Sequence, residues 1–321
     1  MKVLLCGDLH IREFYRLVEI DRLSDFSLLL KRLLEVIDVY KPDVLIQLGD
    51  FFHSLSPYLH KKVINYGVDF INEIASYVDK VFVLLGNHDV YRNEPIITFL
   101  ERGNISVITE PKAYDTFFFI PFGYPNINPP SDKFVVLFHD EIEGALYPTG
   151  IKSGGRKTIP CRFAFGGHIH LPQVLHGRIY FVGTPIQHDF GEQGIEPRVI
   201  LYDSDTDEVN SILLKGLPCF RVFDIYSKED IPYINNLDYY LLRLKQKGIG
   251  LVDILSDRRP RVFLEYDYVV SVDKVKAEME ELKLDVVELM DEWIDSQPIS
   301  DDRVKNRVKE LAREIWNYVA Y

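Results

Sequence analysis

Five short segments of the chain carry residues of the types that bind metal ions. Each is rich in Asp, Asn or His and directly follows a run of apolar residues. Six of the nine histidines lie in these segments. Carboxylate, imidazole and amide-oxygen donors suit Mn²⁺, Fe²⁺ or Zn²⁺, and seven such ligands suffice for two ions that share one carboxylate. The segments are Gly7-Asp8-Leu9-His10, Gly49-Asp50-Phe51-Phe52-His53, Gly86-Asn87-His88-Asp89, His139 and Gly167-His168-Ile169-His170.

A pair of neighbouring metal ions is well suited to one type of reaction. The ions activate a water and stabilise both the attacking and the leaving oxygen of a phosphoryl displacement. Each segment alone also has a simple structural explanation, such as a turn with a capping Asp or a pair of hydrogen-bonded polar side chains. Five such segments in one chain favour a metal centre, and we expect it to hydrolyse phosphoesters.

The strands that precede the segments must bring them together. Apolar, strand-like runs at 3–6, 44–47 and 81–85 alternate with helix-like stretches near 24–40 and 58–78. This alternation predicts β-α-β units, in which the carboxyl ends of neighbouring strands converge on one edge of a sheet. We therefore expect the metal-binding residues to meet at that edge.

The pattern changes to strand after strand beyond about residue 105, which predicts a second sheet. Two sheets packed face to face, with helices outside, form a two-sheet α/β sandwich. We expect this catalytic domain at 1–215, a small α+β capping domain at 216–294 and a C-terminal helical segment at 295–321. Within the capping domain the pattern predicts strands at 221–225, 261–266 and 286–290 and helices around 239–247 and 272–282.

Composition restricts the class of protein. The net charge of −12 argues against a protein that holds nucleic acid mainly through a basic surface, although bound metal ions or a partner subunit can supply positive charge. The widely spaced Cys6, Cys161 and Cys219 form no metal or disulfide framework. No apolar run resembles a signal peptide or a membrane span. We expect a cytoplasmic protein that does not bind membranes.

The five segments resemble those of the calcineurin-like metallophosphoesterase superfamily, across roughly residues 1–205. The resemblance implies two divalent ions, Mn²⁺ above all, with Mg²⁺, Fe²⁺ and Zn²⁺ as alternatives. It also implies that Asp50 bridges the ions and that His88 contacts the scissile phosphate or protonates the leaving oxygen. The implied ligands are Asp8, His10, Asp50 and His170 for the first ion, and Asp50, Asn87, His139 and His168 for the second.

A narrower resemblance is to the SbcD-type DNA nucleases. Phe52-His53 is similar to an element whose His is tied to exonuclease action, and 180–192 is similar to the segment that closes their catalytic domain. Thr184-Pro185 departs from the Gly-Ser type pair of many relatives. The resemblance implies 3′-5′ exonuclease activity on duplex ends and endonuclease activity on single strands, in DNA repair, recombination or replication. It also implies a catalytic role for His53, a homodimer, an SbcC-type coiled-coil ATPase partner, and a location at the nucleoid or in the cytoplasm of an infected cell.

Two further groups of residues each have two interpretations. The loop at 150–160 carries basic residues that either contact a phosphate backbone or are simply solvated. An apolar stripe in the last helix either docks on the coiled coil of the ATPase or packs on its own capping domain. His60, His176 and His188 match no motif, and we interpret them as surface or structural residues. The basic residues are Lys152, Arg156 and Lys157, and the stripe is Val304, Val308, Leu311, Ile315 and Val319.

Two other functions remain open at this point. One is a metallophosphatase or small-molecule phosphodiesterase with the same metal centre. A closed pocket with a lid would favour this function. The other is a metal-bearing scaffold that mainly binds partners. Replacement of His88 should abolish turnover but spare metal binding if the site is catalytic.

Overall fold

The computed structural model divides the chain into two compact units, Met1–Phe220 and Arg221–Tyr321. The expected capping domain and C-terminal segment both fall largely in the second unit. Residues 295–301, at the boundary between these two, lie outside the described residues, so the three-domain division stays a prediction. In the described part, no helix has the length and apolar character needed to cross a membrane. The structure describes residues 1–15, 18–53, 61–92, 94–245, 261–266, 291, 294 and 302–319.

The strands and helices follow one another in an order close to the expected one. In the first unit they are β1 (Lys2–Cys6), β2 (Phe14–Tyr15), β3 (Val18–Asp21), α1 (Leu23–Tyr40), β4 (Val44–Gln47), α2 (Lys61–Ala75), β5 (Lys80–Leu84), β6 (Val90–Tyr91), β7 (Glu94–Pro95), β8 (Ile105–Ile108), β9 (Lys112–Tyr114), β10 (Phe117–Ile120), β11 (Val135–His139), β12 (Phe163–Gly167), β13 (Gln173–Leu175), β14 (Ile179–Phe181), β15 (Arg198–Asp203) and β16 (Glu208–Leu213). From the unit boundary onward they are β17 (Phe220–Ile225), β18 (Tyr239–Leu244), β19 (Val262–Tyr266) and α3 (Asp302–Val319).

The first sheet has six strands in the order β16-β15-β1-β4-β5-β8. Its strands β1, β4, β5 and β8 are parallel, and β15 joins β1 in the antiparallel sense. α1 and α2 connect successive parallel strands, and their buried residues, such as Phe26 and Phe70, pack on one face of this sheet. The parallel strands all end at the same edge, where the segments that begin with Gly7, Gly49 and Gly86 follow.

The second sheet has the order β13-β14-β12-β11-β10-β9, with four parallel strands between two antiparallel edge strands. Residues on its inner face, such as Phe119 and Leu137, pack against Val3 and Ile46 of the first sheet. This face-to-face packing confirms the two-sheet α/β sandwich. The parallel strands β11 and β12 deliver their carboxyl ends to the edge that carries the loops of the first sheet.

The outer face of the second sheet is covered by chain that is not helical in the described part. Ile142, Ala145, Ile159 and Cys161 pack there against residues of β10, β11, β12 and β14. The segment that contains them folds back on itself, with bridges that pair Ile142 with Arg156 and Leu146 with Lys152. It carries the three basic residues of the 150–160 loop.

The second unit contains a three-stranded sheet, β17-β18-β19, in which β18 and β19 are parallel. The prediction of a helix around 239–247 is wrong, because Tyr239–Leu244 is β18. Its residues Tyr240, Leu242 and Leu244 are buried alternately along one face, as in a strand. The helix predicted around 272–282 and the strand predicted at 286–290 lie outside the described residues.

Candidate metal centre

One group of metal-binding side chains forms where β1, β4 and β12 end. Ligand atoms of Asp8, His10 and His170 all lie within 4.8 Å of one another. His10 Nε2 is 3.2 Å from His170 Nε2 and 3.6 Å from Asp50 Oδ2. Asp8, His10 and Asp50 are buried. Two imidazole nitrogens and two carboxylates that converge in this way fit a divalent cation.

A second group lies beside the first and shares Asp50 with it. His139 Nε2 is 3.4 Å from Asp50 Oδ1 and 3.1 Å from Asn87 Oδ1. His168 Nδ1 lies 2.9 Å from the same Asn87 oxygen. One oxygen of Asp50 thus faces each group, which is the arrangement required of a carboxylate that bridges two ions. All seven residues predicted as ligands are therefore brought together.

The electrostatics of the described residues favour added positive charge at the centre. Burial lowers the pKa of His139, but the carboxylates of Asp50 and Asp8 raise it more, to about 10. Burial likewise lowers the pKa of His170, but the hydrogen bond to Glu192 raises it more, to about 9. The pKa of Asp50 falls to about 2, because the attraction of His139 exceeds the effect of burial. The carboxylates that raise the pKa values of these imidazoles are also the groups that would attract divalent cations.

Outer contacts orient the imidazoles toward the centre. His139 Nδ1 donates to the carbonyl of Leu48 at 2.7 Å, so its Nε2 faces Asp50 and Asn87. His170 Nδ1 donates to Glu192 Oε1 at 2.5 Å, and the other Glu192 oxygen accepts from the backbone N–H of His188 at 2.8 Å. Such contacts fix the tautomer and ring orientation of metal-binding histidines.

Asp89, which is not one of the predicted ligands, ties two of the loops together. Its buried carboxylate accepts backbone N–H bonds from Gly86 at 3.0 Å, from Phe51 at 3.1 Å and from Phe52 at 3.3 Å. Burial, followed by the charge of Asp50, raises the pKa of Asp89 to about 7. The loops after β4 and β5 are thus held in register by one side chain.

The backbone of the centre is unusual at three ligand residues. His10, Asp50 and His168 have φ values of 47°, 54° and 75°, in the left-handed region. Non-glycine residues rarely adopt this conformation, which costs about 1–3 kcal/mol each and tends to occur at functional sites. Gly86 permits a close approach here, because a Cβ on it would lie 2.1 Å from the backbone nitrogen of Asp50.

His88 and His53 complete one side of the centre. The His88 ring lies 4.7 Å from that of His10 and 5.6 Å from that of His53, between centroids. His88 Nδ1 donates to the carbonyl of His53, and the His88 backbone N–H donates to Asp50 Oδ1 at 2.8 Å. Because Nδ1 is engaged, Nε2 is the His88 atom suited to exchange a proton with a substrate.

His53 is held in its neutral form beside an arginine. Burial, the nearby Arg12 guanidinium and His88 together lower the pKa of His53 to about 3. Its Nε2 accepts from Arg12 Nη1 at 3.1 Å, and Arg12 also donates to the carbonyl of His188. His53 therefore lies between Arg12 and His88 at the border of the centre, and its catalytic role stays a prediction.

Several residues of the centre were not predicted as site residues from the sequence. His188 matched no motif, yet it is 3% exposed and its ring lies 4.9 Å from that of His10. Its Nε2 donates to the carbonyl of Asp8 at 3.1 Å. Arg12 and Glu192 also belong here, and His188 and Glu192 lie in the 180–192 stretch for which we noted a family resemblance. His176 is exposed, as expected, and His60 lies outside the described residues.

One of the three basic residues of the 150–160 loop lies near the metal centre, and for the last helix the structure gives the exposure of the stripe. Arg156 lines a cavity beside Asn87 and His168, whereas Lys152 and Lys157 are exposed and do not line it. On α3, Val304 is 51% and Leu311 is 41% exposed, and Val308 is partly buried. The backbone of Ile315 and Val319 continues the helix, and their side chains lie outside the description.

Residues 1–172 match the family model of the calcineurin-like phosphoesterases. The chain belongs to this family. The matched range contains all seven predicted ligands as well as His53 and His88. The family match and the geometry of the centre therefore agree, since the donors fit two divalent ions. Such ions supply Lewis-acid stabilisation of phosphoryl transfer.

Solved structures similar to this phosphoesterase have diverse origins. An archaeal phosphodiesterase is 15% identical, with a TM-score of 0.33, and the similarity covers 67% of this chain and 100% of the other. Nuclease MPE of Pseudomonas putida is 20% identical, with a TM-score of 0.31, over 66% of this chain and 72% of the other. The E. coli phosphoesterase Yfce is 15% identical, with a TM-score of 0.36, over 67% and 100%. A search of the curated proteins finds no match.

Proposed function

We propose that this phosphoesterase is a divalent-metal-dependent DNA nuclease of the SbcD type. The observation that carries the proposal is the place of His53, whose ring lies 5.4 Å from that of His10 and beside His88. The resemblance to SbcD-type nucleases implies that the histidine at this position takes part in exonuclease action. Arg12, which contacts His53, adds a guanidinium at the border of the centre.

We infer that Arg12 contacts a phosphate next to the scissile one in a polynucleotide substrate. A DNA strand presents further phosphates on either side of the scissile one, and guanidinium groups bind phosphate oxygens strongly. The bonds of Arg12 to His53 and to the His188 carbonyl hold its guanidinium at the border of the centre. This supports a phosphodiester within a chain as the substrate.

The residues divide the proposed reaction between them. The seven ligands would hold two ions, and Mn²⁺ suits their imidazole and carboxylate donors. His88 would give a proton from Nε2 to the leaving 3′ or 5′ oxygen. His53, tied to Arg12, would fix the position of His88 through its backbone carbonyl.

The proposal also covers the nuclease activities, the protein partners and the cellular location. It includes 3′-5′ exonuclease activity on duplex ends, endonuclease activity on single strands and service in DNA repair, recombination or replication. A chain of net charge −12 needs positive charge from elsewhere to retain DNA, which favours an SbcC-type ATPase as partner, with a homodimer of this chain in the complex. The setting would be the nucleoid or the cytoplasm of an infected cell.

The test is an assay of purified protein on end-labelled duplex and single-stranded DNA with Mn²⁺, with and without the ATPase. We expect metal-dependent cleavage, lowered about 10²–10⁴-fold in His88→Gln because a general acid contributes that much. Mn²⁺ binding by His88→Gln, measured by calorimetry, should match the wild type. Absence of DNA cleavage beside fast hydrolysis of small phosphodiesters would instead establish a small-molecule phosphodiesterase. Unchanged function in His88→Gln would favour a scaffold.

A further inference from the structure

A cavity of about 600 Å³ opens from the second half of the metal centre. Asn87 and His168 line both the centre and this cavity, so the two are continuous. The other walls come from the loops after β10 and β11 and from the segment at 154–156. Their side chains include Phe122, Asn126, Asp140, Glu141 and Arg156.

The walls of the cavity combine an aromatic surface with hydrogen-bonding groups. Phe122 is 37% exposed, its ring meets that of His139 at 6.5 Å, and its backbone N–H is fixed to the carbonyl of Leu85 at 2.9 Å. Arg156 is held in place by Asn128 Oδ1 at 2.6 Å and by the carbonyl of Ile127 at 3.1 Å. The cavity is therefore preformed.

Two carboxylates distinguish this cavity from a phosphate site. Glu141 accepts from Tyr147 at 2.6 Å and from Ser153 at 2.7 Å, which fixes the position of its carboxylate in the cavity wall. Asp140 Oδ2 is buried and has no hydrogen-bond partner among the described residues. Carboxylates repel phosphate but accept hydrogen bonds from the amino and imino groups of a nucleobase, and an arginine donates to its ring nitrogens or carbonyl oxygens.

We propose that this cavity binds the base of the nucleotide whose phosphate lies at the metal centre, with Phe122 stacking on the base. This deepens the proposed nuclease function and rests on it for the identification of the nucleotide as part of a DNA strand. The volume lies within the range of small-ligand pockets and accommodates a nucleoside, not a base pair within a duplex. The base must therefore leave the duplex stack before cleavage.

The first experiment measures binding without turnover. Mn²⁺-loaded protein is titrated in a calorimeter with deoxyadenosine 5′-monophosphate and with deoxyribose 5-phosphate, which lacks the base. We expect the nucleotide to bind about tenfold more tightly, because stacking of one base on an aromatic side chain is worth about 1–3 kcal/mol. Phe122→Leu should remove this preference and Phe122→Tyr should keep it, while affinity for deoxyribose 5-phosphate stays constant.

The matched control is Tyr77→Leu, which removes an aromatic ring of 58% exposure near the amino end of β5, at the opposite edge of the sheet. It should keep the full preference for the nucleotide. Equal binding of the two ligands by the wild type overturns the proposal, as does a preference that survives in Phe122→Leu.

The second experiment separates this proposal from the proposed nuclease function. Cleavage of an oligonucleotide with an intact terminal base is compared with cleavage of one that has an abasic terminal position. We expect KM for the intact substrate to rise about tenfold in Phe122→Leu, with KM for the abasic one unchanged. A protein that prefers the nucleotide but cuts neither substrate has the base site without the nuclease function. Equal KM values for the two substrates in the wild type overturn the base site alone.

Discussion

Glu192 contacts no predicted ion, yet it determines how His170 faces the centre. Its carboxylate is 3% exposed and accepts from His170 and from the His188 backbone. In Glu192→Gln the amide would supply less charge and one donor in place of an acceptor, so we expect Mn²⁺ to bind about 10–100-fold more weakly. Calorimetric titration with Mn²⁺ measures this.

Glu196→Gln is the matched control, because Glu196 is 67% exposed and lies 4.0 Å from Arg198. It should bind Mn²⁺ as the wild type does. Equal affinities for the two variants would show that Glu192 has no part in metal binding.

Metal binding should release protons. The pKa values of His139 and His170 are raised to about 10 and about 9, so both imidazoles are protonated at pH 7 in the metal-free protein. This protonation stabilises the metal-free fold below the ordinary histidine pKa, and the stabilisation is lost as the pH rises through the raised values. Because Mn²⁺ needs neutral imidazoles, its affinity should increase from pH 6 to pH 9.

Calorimetry at pH 7 in two buffers of different ionisation enthalpy counts the released protons. Exposed His176 provides the control, since His176→Asn should release as many protons as the wild type. His170→Asn should release fewer. A heat of binding that is independent of the buffer would contradict this assignment of the protons.

The sequence predicted the ligand residues well because they follow strands at recognisable positions. It could not predict Arg12 or His188, since their roles depend on contacts between residues far apart in the chain. The bond between Arg12 and the His188 carbonyl joins positions 176 residues apart. The residues around each position do not predict such a contact, and both residues are of types that are common on surfaces.

At the scale of elements, the loops after β4 and β5 touch through Gly86. A Cβ at Gly86 would lie 2.1 Å from Asp50 N and 2.2 Å from Asp50 Oδ1, so Gly86→Ala must push the loops apart. Asp50 faces both ion positions, and its displacement should weaken binding of both ions by at least tenfold. Metal content after dialysis against Mn²⁺ measures the loss.

Gly177→Ala controls for stability alone. Gly177 has a φ of 70°, and a Cβ on it would meet nothing within 4 Å. The left-handed conformation should cost about 1–2 kcal/mol of stability without loss of metal. Retention of both ions by Gly86→Ala, with the same loss of stability as Gly177→Ala, would show that Gly86 does not set the position of Asp50.

The start of α1 contains a buried ion pair. Arg22 Nη1 lies 3.0 Å from Asp25 Oδ2, with side-chain exposures of 0% and 1%. Asp25→Ala leaves the guanidinium buried without this partner and should lower the free energy of unfolding by about 3–5 kcal/mol. The exposed pair Arg32 and Glu35 has the same spacing, so Glu35→Ala should cost at most about 1 kcal/mol. Urea unfolding followed by circular dichroism compares them, and similar losses would contradict the difference in burial.

The sandwich could be predicted because strands buried on both faces read as continuous apolar runs between helical periods. The second unit was harder. The run Tyr239–Leu244 is short, and its leucines fit either a helix or a strand until the partner strand Val262–Tyr266 is known. Pairing with this distant strand makes the run a strand and not a helix.

At the scale of the whole molecule, the acidic chain must meet the proposed ATPase through a limited surface. Leu311 is 41% exposed on α3, and Asn306 is exposed on the same helix. Leu311→Glu should abolish co-purification with an SbcC-type ATPase, because a charge would be buried in the apolar contact. Asn306→Glu adds the same charge and should leave the complex intact.

Both variants should hydrolyse a small phosphodiester at the wild-type rate. Retained association in Leu311→Glu, with a lowered unfolding temperature, would show that the stripe packs on its own domain instead.

The predicted ligands after β1 lie far along the chain from those that they meet, which bears on when the protein could become active during its synthesis. β1 lies between β4 and β15, and the predicted ligands that follow it, Asp8 and His10, meet His170. Translation proceeds from the amino terminus, so these two residues leave the ribosome long before His139, His168 and Glu192 exist. A nascent chain therefore carries an incomplete set of ligands, and the centre forms only once the first unit is nearly finished. If the predicted ligands hold the ions, the order of synthesis would delay metal capture, and with it hydrolysis, until the fold can enclose them.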